Sequence, residues 1–117
     1  MIFKWKIFTA DLNPVKGSEQ KGIRPVVVIS DDDYSFSMPL VTILPITSLK
    51  PGRKIYPNEV LIEKDEIKNT GLSIDFIIMA HQIRTVSKNR LIRNIGSIDS
   101  IEIMEEVNEA LRIHLNL

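Results

Sequence analysis

Arg24 stands between a long polar loop and the β-branched run Pro25-Val26-Val27-Val28-Ile29, which makes it the position in this chain best placed for chemistry. Pro25 drives Arg24 into extended backbone at the mouth of a strand over residues 26–29. The base of the side chain is then anchored while its guanidinium stays free. A planar fork of N–H donors matches phosphate oxygens two at a time. The preceding loop offers Asn13, Lys16, Ser18, Glu19, Gln20 and Lys21 around the turn dipeptides Asn13-Pro14 and Gly17-Ser18. Together they read as a receptor for a phosphate and polar bases; a solvated hairpin carrying one surface arginine is the competing reading. Thr47, two residues after Pro45, suits either a turn or a phosphate contact. His81 ends an apolar run beside Gln82. With a reference pKa of about 6.5 it can exchange a proton near neutrality, or it can be a hydrogen-bonded strand end.

Other polar residues read as structure. Asp31-Asp32-Asp33 follows a strand and reads as a solvated turn or helix cap, not a ligand cluster. With no cysteine and two distant histidines, disulfide, thiol and metal chemistry are not expected, and no cofactor is called for. His114 shares helical spacing with Ile103, Val107, Ala110 and Leu111, as a packed or half-exposed helix residue would.

The elements that must hold these residues are short. Phe3, Trp5 and Ile7 alternate with Lys4, Lys6 and Phe8, as in a half-buried strand. Residues 26–29 read as a strand buried on both faces, and 39–46 as a third strand in which Pro45 implies an edge, a bulge or an end near Thr47. Short strands are expected over 60–62, 76–83 and 95–98, with a turn in 86–92. A terminal helix begins with Asp99 as cap and Glu102 completing a capping box. Mainly β with a C-terminal helix, the 117 residues suit one small barrel domain, residues 1–117, with 44% apolar residues for its core. Fifteen basic residues balance fifteen acidic ones. Bulk charge therefore does not bind nucleic acid here, but a local basic cleft can: Arg84, Lys88, Arg90 and Arg93 occur without an intervening acid. Lys4 and Lys6 interrupt the apolar N-terminus and no run reaches membrane-spanning length, so a soluble, cytoplasmic protein is expected.

Four blocks in order, LNPVKGSEQKGIRPVVVIS, LPITS, HQIRTVSKNRL and the closing EALRIHLNL, resemble the PemK/MazF toxin family of type II toxin–antitoxin systems. The resemblance implies the SH3-like barrel of PemK, MazF and CcdB-like toxins, a homodimer, a cognate antitoxin as inhibitor, and single-stranded RNA as substrate. It implies sequence-selective, metal-independent cleavage of mRNA leaving a 2′,3′-cyclic phosphate and a 5′-hydroxyl. RNA supplies its own nucleophile, the 2′-hydroxyl, so the protein must handle protons and the charge on phosphorus. Arg24 falls on the family's catalytic arginine and Thr47 on its second catalytic position. Ser18, Glu19, Gln20 and Gln82 are candidate base or backbone contacts, with Asn13, Lys16, Ser48 and Arg84 beside them. Lys88 suits a phosphate contact or a solubilised rim. The departure is His81, where the family commonly has an acid before Gln; it stands either as the proton-transfer group or as a structural histidine. A CcdB-like toxin that blocks DNA gyrase by contact, and an inactive binding-only relative, are the alternatives. The RNA word and the antitoxin are not encoded legibly.

Overall fold

The computed structural model describes residues 3–117. Its strands are β1 (Lys6–Asp11), β2 (Ile23–Val28), β3 (Leu40–Ser48), β4 (Glu59–Ile62), β5 (Phe76–Met79), β6 (Arg84–Ser87) and β7 (Leu91–Ser97). Two helices complete it, α1 (Asp32–Ser37) and α2 (Ile101–Leu115), with 3₁₀ turns at Ala80–Gln82 and Lys88–Arg90. The strands pair antiparallel in the order β4-β5-β3-β2-β1-β7, with β6 also on β3. The expected mainly β barrel with a terminal helix is what the chain forms.

β3 is the strand on which the barrel turns. One side pairs with β2; the other pairs with β6 at Leu40 to Ile43 and with β5 at Ile46 to Ser48. The Thr42 carbonyl accepts from Ile29 N–H at 2.9 Å on the β2 side, so by alternation the backbone of Pro45 faces the other side. There it meets the gap between β6 and β5, where its missing N–H breaks no ladder. The proline thus marks a change of partner, and the strand runs past Thr47 to Ser48.

Both faces of the sheet are buried. Val27, Leu44 and Ile46 join Ile7, Ile62, Phe76 and Ile78 in one core, which α2 covers with Ile103, Val107 and Ala110. Val26 and Val28 point the other way, into a second core with Ala10, Leu12, Val41, Ile43 and Val86. The run at 26–29 is therefore two-sided, as its composition required.

Several boundaries differ from those expected. β1 starts at Lys6 because Trp5 takes a left-handed backbone, φ 69°, which breaks the alternation begun at Phe3. β2 begins at Ile23, placing Arg24 inside the strand rather than at its mouth. β5 stops at Met79, and His81 and Gln82 lie on the 3₁₀ turn. The last strand is longer than residues 95–98, running Leu91–Ser97. α1 has no apolar period to announce it, since Tyr34 and Phe36 are exposed. It is started by the Asp31 side chain, which accepts from Asp33 N–H at 3.1 Å. At α2 the cap is Ser100, whose hydroxyl accepts from Ile103 N–H at 3.3 Å. Asp99 instead accepts from Ser97 and Asn69, at 2.7 and 3.1 Å. His114 is exposed near the helix end.

Candidate active site

Residues 12–22 fold back on themselves before β2. Leu12 N–H donates to the Gly22 carbonyl at 3.0 Å, and Gly22 N–H donates to Asn13 Oδ1 at 3.2 Å. Within the loop, Glu19 Oε1 accepts from Lys16 N–H at 2.8 Å. Three side chains from the following half of the molecule moor it. Arg84 donates to the Leu12 carbonyl at 3.0 Å, Gln82 Oε1 accepts from Gln20 N–H at 2.8 Å, and Arg90 donates to the carbonyls of Asp11 and Asn13. Such cross-links fix a loop that its own sequence leaves free.

Between the loop and the 3₁₀ turn lies a groove of about 470 Å³, with Pro45 in its floor. Ser18, Glu19 and Gln20 form one wall and His81, Gln82 and Arg84 the other. Six candidates scattered over the sequence are thus brought to one cleft. Asn13 and Lys16 do not line it, and Asn13 is engaged in closing the loop. Ser48 is half-buried beside Phe76 in the β3–β5 ladder. By strand alternation it faces away from Thr47.

Neither Arg24 nor Thr47 lines the cleft, but strand register sets both to the side of its floor. Val26 is the cross-strand partner of Pro45, and the register carried two residues further sets Arg24 opposite Thr47. Alternation puts both on the face of Val26, Ile43 and Pro45, the face that floors the groove. Arg24 Nε donates to the Lys21 carbonyl at 3.0 Å. Its guanidinium is therefore tethered rather than wholly free, with the Nη edge left for a ligand.

His81 has surroundings that its neighbours in sequence do not announce. Glu59, at the start of β4, is buried and grips Arg53 with both oxygens, at 2.9 and 2.7 Å. Tyr56 N–H adds a third bond at 3.1 Å. The Arg53 hydrogen bonds, helped by Tyr56 and opposed by burial, hold the Glu59 carboxyl below the usual carboxylate range. His81 Nδ1 lies 3.7 Å from Glu59 Oε2; it is buried and has no hydrogen-bond partner. Among the described residues no group of three or more His, Cys, Asp or Glu is placed to hold a metal ion, and the Asp31 side chain is spent on its helix cap.

The family model of PemK-like, MazF-like toxins of type II toxin–antitoxin systems matches residues 4–115. The chain belongs to this family. It is 43% identical over 117 residues to a protein named endoribonuclease MazF from Staphylococcus saprophyticus, covering all of this chain and 93% of that one. Endoribonuclease MazF9 of Mycobacterium tuberculosis is 35% identical over 122 residues, covering 100% and 98%. The fold agrees with MazF of Deinococcus radiodurans, TM-score 0.79 at 23% identity over 97% of this chain and 96% of that one. It agrees also with a mycobacterial endoribonuclease solved with its cognate antitoxin, TM-score 0.77 at 20% identity over 100% and 97%. With PemK and MazF as the matched family, the gyrase-directed alternative is set aside.

Sequence reasoning missed Glu59 and Arg53. A carboxylate before an apolar strand gives no sign that a histidine will fold against it. The sequence suits Arg84 to a phosphate contact or a solubilised rim, whereas one of its nitrogens ties down the loop.

Proposed function

We propose that this toxin is an endoribonuclease that cuts single-stranded mRNA in the groove between residues 12–22 and the 3₁₀ turn, without a metal ion. The observation that carries the proposal is the convergence of His81, Gln82, Arg84 and the loop wall on one cleft floored by Pro45, whose cross-strand partner Val26 lies two residues from Arg24. The 2′-oxygen attacks the adjacent phosphorus and the bond from phosphorus to the 5′-oxygen breaks, leaving a 2′,3′-cyclic phosphate and a 5′-hydroxyl. His81 accepts the 2′-proton, and water protonates the departing 5′-oxygen. Arg24 binds the non-bridging oxygens as negative charge builds on them, and Thr47 donates one further hydrogen bond. Ser18, Glu19, Gln20 and Gln82 contact bases and so select the cut site, and Arg84 adds a contact from the same groove; Asn13, Lys16 and Ser48, which lie outside it, are left out of the RNA-binding set.

Among the described residues no helix is long and apolar enough to cross a membrane. The proposed substrate, mRNA, places the activity in the cytoplasm. The protein works as a homodimer, and a cognate antitoxin silences it by laying an acidic, apolar segment into the RNA groove. The support is the toxin family itself and the solved mycobacterial endoribonuclease with its cognate antitoxin. Primer-extension mapping of a long RNA, with chemical analysis of the new ends, tests the reading. Cuts at a recurring short sequence with cyclic phosphate ends, unaffected by excess EDTA, are expected. Ends bearing a 5′-phosphate, or activity lost in EDTA and restored by Mg²⁺, would overturn it.

A further inference from the structure

The buried Nδ1 of His81 is the one buried side-chain nitrogen or oxygen among the described residues that lacks a hydrogen-bond partner. Such an atom is costly unless an acceptor is close. The acceptor at hand is Glu59 Oε2, 3.7 Å away. The carboxylate cannot swing off, because Arg53 holds both its oxygens and Tyr56 N–H holds one. We infer that Glu59 is the positioning residue for His81: its carboxylate accepts a hydrogen bond from Nδ1–H, which keeps the proton on Nδ1, fixes the tautomer and leaves an unprotonated Nε2 for the groove. The imidazole lines the groove and its side chain is 32% exposed, so the ring is half sheltered by the protein and half offered to a ligand. The logic is that of any base whose second nitrogen is oriented by a carboxylate.

Other charges face this pair. Arg84 lies on the same wall of the groove as His81, and Glu19 lies on the wall opposite. α2 brings Glu106 and Glu109 to the far side of Glu59, both exposed. Neither set reaches Nδ1 as Glu59 does. The buried carboxylate sets His81 apart from a surface histidine, and its removal acts on the ring even where the fold is intact.

The inference rests on the proposed role of His81 in proton transfer, but its first test needs no RNA. The chain has two histidines, His81 and His114, and the spectrum of His81→Gln assigns their resonances. In ¹⁵N-labelled wild-type protein, the neutral His81 ring is expected to carry its proton on Nδ1. Finding it on Nε2 would overturn the inference, whether or not any variant folds. In folded Glu59→Gln the pH limb of single-turnover cleavage should move to lower pH. An unmoved limb would equally sink the assignment. Failure of the proton-transfer reading shows differently: His81→Gln would cleave with an unchanged pH profile while the Nδ1 tautomer persisted in the wild type.

Discussion

At the residue scale the proposed mechanism divides the chemistry between Arg24 and His81, and pH tells the two roles apart. The role proposed for Arg24 is to match the phosphate as charge grows on it. Arg24→Ala should unfold like the wild type, because a half-buried guanidinium bonded only to the Lys21 carbonyl carries little of the fold. Its single-turnover cleavage should fall by roughly a hundredfold or more, and a variant keeping most of its activity would remove Arg24 from the site. Thr47→Ala should lose less, since a neutral hydroxyl only positions. Proton transfer is the role proposed for His81. Cleavage should rise with pH along a limb between roughly 5.5 and 7.5, and His81→Gln should lose both the limb and most of the rate. His81→Asp should regain part of the rate with the limb moved to lower pH. An unaltered profile in His81→Gln would show a structural histidine.

Caps and close approaches decide where elements start and how tightly they seat. The Ser100 hydroxyl serves the first turn of α2 while Asp99 bonds Ser97 and Asn69. Ser100→Ala should therefore cost about 1 kcal/mol in urea unfolding, the usual value of a lost N-cap; a negligible loss would return the capping role to Asp99. Gly96 shows a second device. A Cβ there would run into the backbone of Asn69 and Thr70, the segment held by Ser97 N–H on the Asn69 carbonyl at 2.8 Å. Backbone cannot give way as a flexible side chain can. Gly96→Ala should destabilise by roughly 1–3 kcal/mol, and a neutral substitution would show that β7 and this segment are free to part.

Across the whole molecule, carboxylates hold together segments far apart in the chain, and acid should loosen them. Asp32 Oδ1 accepts from Lys4 and Phe3 N–H at 2.8 and 2.7 Å, joining the start of the chain to α1. These two bonds place the Asp32 pKa below its ordinary value of 3.8. Glu59 is lowered chiefly by Arg53, and Asp99 chiefly by the Ser97 hydroxyl. Lowered native values mean that the unfolded chain takes up protons first as pH falls. The stability these groups contribute is full above their unfolded values and fades as pH drops through them to the native ones. Urea unfolding should thus show stability flat near neutrality and declining below about pH 5. Asp32→Asn should lose stability at pH 7 and show a shallower decline; a curve parallel to the wild type would mean that the Asp32 bonds contribute nothing differential.

The sequence by itself determined what local physics controls. β-branched residues after Pro25 make a two-sided strand wherever it is placed, and Ile103, Val107 and Ala110 recur at helical spacing, so α2 must bury that face. The family was legible too, in four ordered blocks, and with it the positions of Arg24, Thr47 and the loop. Tertiary structure decided what depends on chain segments meeting. Pro45 is harmless because β3 changes partners there. His81 leaves its strand because Met79 ends the β4–β5 ladder. The residues of the groove converge because Gln82, Arg84 and Arg90 moor a distant loop. Glu59 meets His81 only through packing. Hydrophobic period and backbone preference are written residue by residue, whereas the partner of a buried polar atom is chosen by how the cores close.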